Sequence, residues 1–124
     1  MDNAKLKAKL DAIFNAHMSA ELAGDLDQTL ATMAPNPHLV NVPTMLGGQG
    51  PAGVRAFYAN RLVGQFFPPD VRFETVSRTY SEERLVDELI ISFTHTHKID
   101  WMLPGVEPTG RFVDVVFVVI VGFE

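Results

Sequence analysis

The sequence predicts an α+β domain in which helices come first and antiparallel strands follow. Three observations carry this expectation. Apolar residues recur at three- and four-residue spacing up to residue 65, and the spacing falls to about two from residue 71 onward. Clusters of proline and glycine fall between the periodic segments rather than inside them. The strands run together at the end instead of alternating with helices, which favours an antiparallel sheet over a parallel one.

Residues 3–23 read as one amphipathic helix carrying Leu6, Leu10, Ile13, Phe14, Met18 and Leu22 on one stripe. His17 sits on that stripe, where a structural role is the ordinary one. Gly24 ends the helix in the position of a left-handed cap. Asp25 caps a second, short helix with Leu26, Leu30 and Met33, and "APNPH" closes it because proline cannot continue a helix. "HLVNV" predicts a short strand and "PTMLGGQG" a glycine-rich loop. Gly50 and Pro51 open a third helix carrying Val54, Phe57, Tyr58 and Leu62, and "FFPPD" closes it. The remaining elements are strands over residues 71–80, 84–101 and 111–123, joined by "SEE" and by "LPGVEPTG". The long second strand is expected to bend. A curved sheet wrapped around helices leaves a concave apolar face, and such faces hold small molecules.

Composition bounds the function. The 124 residues suit a single domain over the whole chain. Hydrophobic content of 47% against 20% charged residues gives a globular rather than a disordered chain. A net charge of -5 with scattered lysines and arginines excludes a nucleic-acid footprint. The absence of cysteine excludes disulfides, thiolate metal sites and a cysteine nucleophile. "MDNAKLKAKLDAIF" is too charged for a signal peptide, and "VVFVVIVGF" falls well short of the ~18 apolar residues of a membrane span. The expectation is therefore a cytoplasmic protein with no membrane partner.

Strand parity sorts the chemistry-bearing residues by face. On residues 84–101 the odd positions are the more apolar and are assigned to the interior. That turns Asp87, His95 and His97 inward with Trp101, and Glu88, Lys98 and Asp100 outward or to the rim. A carboxylate among apolar neighbours is driven toward its neutral form and suits general acid/base work, with a histidine beside it. Asp87 with His95 or His97 is the first acid/base candidate. The competing interpretation is a set of hydrogen-bonded polar residues on a sheet face. Asp114, a lone carboxylate in "FVDVVFVVIV", is the second base candidate if it faces inward. A solvated residue near the strand start is its bland alternative. His-x-His is also a metal-ligand spacing, with Asp87 or His38 as further ligands. Trp101 and Met102 lead into a loop that suits closure over an apolar ligand or a dimer contact. Tyr58 is placed to donate to a ligand carbonyl beside Phe57. Asn41 and Thr44 are weaker ligand-contact candidates.

Three stretches, "AELAGDLDQTLATMAPNPHLVNVPT", "GPAGVRAFYANRL" and "RLVDELIISFTHTHKIDWMLPGVEPTGRFVDV", resemble the SnoaL-like (polyketide cyclase-like) group of the nuclear transport factor 2-like superfamily. They cover over half the chain. The resemblance implies a cone-shaped α+β barrel, a homodimer formed through the sheet, and a pocket for a small apolar, carbonyl-containing molecule. It also implies proton-transfer chemistry (isomerisation, cyclisation or hydration) in those members that are enzymes, with no cofactor or metal. Others are binding or structural modules, which is the alternative for this chain. The family pattern has one more strand after residue 123, so the last strand here is expected to present an open edge.

Overall fold

The computed structural model describes residues 2–124, apart from the side chains of residues 62–65, where the expected inner-face Leu62 lies. The architecture is α+β, with N-terminal helices followed by antiparallel sheets. The order is α1 (Asn3–Ala23), α2 (Leu26–Ala31), β1 (His38–Asn41), β2 (Leu46–Gln49), α3 (Gly50–Gln65), β3 (Arg72–Tyr80), β4 (Arg84–Thr94) and β5 (Phe112–Gly122).

The helix boundaries follow local chemistry. The Asp2 carboxylate accepts the Ala4 N–H at the start of α1. Gly24 ends α1 at φ 68°, and its N–H returns to the Ala20 and Glu21 carbonyls. Asp25 then accepts the Gln28 N–H to start α2. The inner stripe of α1 departs from the hydrophobic one. Leu10 and Phe14 are buried, but the next inward turn is His17 and Glu21, while Leu22 points out. Helical geometry decides this, because three- and four-residue steps from Phe14 land on His17, Met18 and Glu21.

The glycine-rich segment expected as a loop contributes a strand. β2 pairs antiparallel with β1, His38 opposite Gln49 and Asn41 opposite Leu46. The hairpin lies against the first turn of α3 so closely that a Cβ on Gly48 would collide with the Gly53 carbonyl. Glycine there permits the approach that seats α3.

β3, β4 and β5 form the second sheet in that order. β4 is centred, pairing with β3 through a bulge at Val76 and with β5 without interruption from Arg84–Gly122 to Thr94–Phe112. β4 stops at Thr94, short of the expected 101. The Asp70 carboxylate takes the Thr94 N–H at 3.0 Å and its hydroxyl at 2.6 Å. His95 adds two further backbone links, donating to the Arg111 carbonyl and accepting from the Gly110 N–H, and the chain then turns at Ile99, whose carbonyl accepts from Met102 and Leu103.

Burial follows the expected parity. Leu85, Asp87, Leu89, Ile91, Phe93 and His95 are all buried. The larger core joins α3 to the sheet through Val54, Phe57, Tyr58, Phe66, Leu89, Ile91, Phe93, Ile99 and Trp101. A smaller one packs α1 on Leu85 through Leu10 and Phe14. No helix among the described residues is long and apolar enough to cross a membrane.

Candidate functional site

The expected acid/base pair is not assembled. Asp87 is 1% exposed and turned inward, but its carboxylate is occupied by Arg78, with Nη2 to Oδ2 at 3.0 Å and Nε to Oδ1 at 3.3 Å. Thr75 donates a third bond to it. Arg78 also reaches Asp11 on α1 at 3.0 Å, and Tyr80 donates to the same Asp11 oxygen at 2.6 Å. The hydrogen bonds to Asp87, opposed by burial and reinforced by Asp11, hold the Arg78 guanidinium in its charged form beyond the ordinary arginine range. This cluster fastens α1 to the sheet. His95 stands eight residues further along, roughly 25 Å away at strand rise, so Asp87 and the histidines share a face but not a site.

Asp114 is on the outer face, exposed, and accepts from Ser92 across the β4–β5 register at 2.6 Å. It is removed from the interior because Val113 and Val115, at the other parity, take the inward positions.

Tyr58 is buried, but its proton is committed. The hydroxyl donates to Glu21 Oε1 at 2.5 Å, and His17 Nε2 lies 2.9 Å from the same oxygen. His17 Nδ1 meets the Thr32 hydroxyl at 2.7 Å, and that hydroxyl donates to the Thr29 carbonyl. Burial first, then the charge of Glu21 and the bond to it, raises the Tyr58 hydroxyl above the ordinary tyrosine range. Phe57 packs edge-on against Tyr58 and Phe66 in the core. Asn41 donates to the Leu46 carbonyl and fixes the hairpin turn. Thr44 ties that turn to the Trp101 carbonyl at 3.1 Å. Met102 packs, half-buried, on the larger core.

The histidines carry the unresolved chemistry. His95 is 1% exposed. The Thr109 backbone N–H donates to its Nδ1, and the Thr109 hydroxyl lies 3.2 Å from the same atom. With Nδ1 accepting, the proton of the neutral ring sits on Nε2, yet Nε2 is buried with no hydrogen-bond partner. His97 Nε2 is likewise buried and unpartnered. Buried polar atoms of this kind cost about 1–3 kcal/mol each when left without a partner.

His97 lines an open cleft of ≈ 530 Å³ between α3 and the segment following β4. Asn60 and Arg61 form the helix side of the cleft, and Lys98, Ile99, Asp100 and Trp101 complete it. Trp101 is held from behind by Phe66, stacked at 4.5 Å and 9°. Arg61 lies over the Phe57 ring, donates to the Phe57 carbonyl and forks onto Asp100 through Nε at 3.4 Å and Nη2 at 3.2 Å. A second cleft of ≈ 420 Å³, between Met33, Pro35 and the start of α3, is more apolar, and Arg55 is its one charged lining residue.

Compared with models of known protein families, the chain matches none, and no curated protein matches it. Among the described residues no group of three or more histidines and carboxylates is placed to hold a metal ion, and His38 lies exposed on β1.

The first cleft therefore joins two expected residues, His97 and Trp101, with Asn60, Arg61, Lys98 and Asp100. From sequence, Asn60 and Arg61 carried no ligand role, and Lys98 and Asp100 were expected outward or at the rim. Asn60 and Arg61 follow Phe57 at the helical spacing of three and four, which was the available signal.

Proposed function

We propose that this chain is a small-molecule-binding domain of the SnoaL-like kind, with its ligand in the cleft between α3 and residues 97–101. The observation that carries the proposal is His97, which lines that cleft with a buried, unpartnered Nε2. A ligand polar group meets that nitrogen once the ring turns it toward the cleft. Trp101, braced by Phe66, offers an apolar wall for a small carbonyl-containing molecule. The expected order of helices and strands is retained, with a hairpin where one strand was expected. Binding rather than turnover is the reading favoured, because Asp87 is tied to Arg78 and Tyr58 to Glu21. Amide chemical-shift mapping against a panel of small carbonyl compounds tests it. Shifts gathered on Asn60, Arg61 and residues 97–101 are expected. Shifts that avoid those residues would sink the proposal.

A second copy of the chain is proposed as the macromolecular partner, on a separate observation. Phe112, Val116, Val118 and Ile120 are exposed on the outer face of β5, and Val76 on β3. β5 also pairs only with β4 among the described residues. An apolar strand with an open edge favours burial against another sheet.

A further inference from the structure

We infer that the ligand of this cleft is a small aromatic or alicyclic carboxylate, an inference that rests on the cleft being a ligand site. The lining carries two cations, Arg61 and Lys98, against one carboxylate, Asp100, in a chain of net charge -5. Both cations are already paired, Arg61 with Asp100 and Lys98 with Glu107, so an anion binds here by exchange with those carboxylates. Arg61 has donors to spare. Its Nε and one Nη2 hydrogen serve Asp100 and one Nη1 hydrogen serves the Phe57 carbonyl, so one N–H on each terminal nitrogen is free. Asp100 itself shows the chemistry that fits, a planar carboxylate accepting two parallel N–H bonds from the guanidinium fork. It is held loosely, since the Asp100 side chain is 56% exposed. The Lys98–Glu107 pair is also solvent-exposed on both sides. Surface pairs of this kind contribute little, so an incoming carboxylate can exchange for them. His97 Nε2 adds an unmet hydrogen-bonding group, and Ile99 and Trp101, the latter 6% exposed, make the apolar part of the lining.

Trp101 is the one tryptophan of the chain, so its emission reports the cleft directly. The experiment titrates the full chain with phenylacetate and cyclohexylacetate, and with their neutral carboxamides, at low and high salt. Each acid is expected to bind about tenfold tighter than its amide, the worth of one charge-assisted hydrogen bond. The gap should narrow with salt and nearly close in Arg61→Gln. Lys98→Gln, an exposed change that leaves the core untouched, should narrow it as well, and it decides the matter if Arg61→Gln unfolds by circular dichroism. Amides that bind as tightly as acids, or a gap unchanged in the variants, overturn the carboxylate inference and leave the cleft as a ligand site. No response to either acids or amides overturns the cleft as a ligand site and the inference with it.

Discussion

Asp87 and Tyr58 look alike from sequence, each a polar group among apolar neighbours, and both turn out to be fastened to other side chains. Asp87 accepts the Arg78 fork at 3.0 and 3.3 Å. Asp87→Asn removes the charge that Arg78 is held against in a buried setting, so roughly 3 kcal/mol of stability should be lost. A lower urea midpoint with an unchanged slope is the expected signature. Ligand binding at the cleft should be unaffected, because that site is far along the sheet. Tyr58 and Tyr80 are the two tyrosines of the chain, and both hydroxyls are held above the usual range, first by burial and then through Glu21 and Asp11 respectively. The unfolded chain releases these protons near pH 10, whereas the folded chain keeps them. Their contribution is therefore complete below about pH 10 and is lost as pH rises beyond it. Alkaline titration should show the Tyr58 tyrosinate only as the protein unfolds, and the Tyr80 tyrosinate above the ordinary tyrosine range. A normal titration of either tyrosine in the folded protein would contradict this account.

Elements were legible where one local rule decided them. Gly24, Asp25 and Pro51 marked helix ends through capping and proline geometry, and alternation identified the inward face of β4. What escaped depended on contacts between distant segments. β2 hid in "LGGQG" because glycine lacks strand propensity, and its pairing with β1 and its closeness to α3 hold it extended. Gly48→Ala should therefore cost about 2 kcal/mol, since backbone on both sides has to move; thermal melting checks this, and an unchanged midpoint would contradict it. The early end of β4 was illegible because Asp70, 24 residues away, caps Thr94. The cleft was half legible for the same reason. His97 and Trp101 stood out by residue type, whereas Arg61 acquires meaning only when α3 is laid beside them.

At the scale of the molecule, two unfinished surfaces remain, the outer face of β5 and the cleft. If the sheet face joins two copies, the 13.7 kDa chain should sediment as a dimer. Val118→Glu, which places a charge amid Val116 and Ile120, should weaken association by about 2 kcal/mol, roughly thirtyfold. Unaltered association in that variant would place the contact elsewhere. The cleft is tested most directly by the imidazole nitrogens, since the chain has four histidines in distinct settings. Two-bond proton–nitrogen spectra should be recorded for the free protein and for the protein saturated with the strongest binder found by shift mapping. His97 Nε2 is expected to move as it gains a partner, while His17, already engaged by Glu21 and Thr32, stays in place. A saturated complex in which His97 is unmoved would contradict the account.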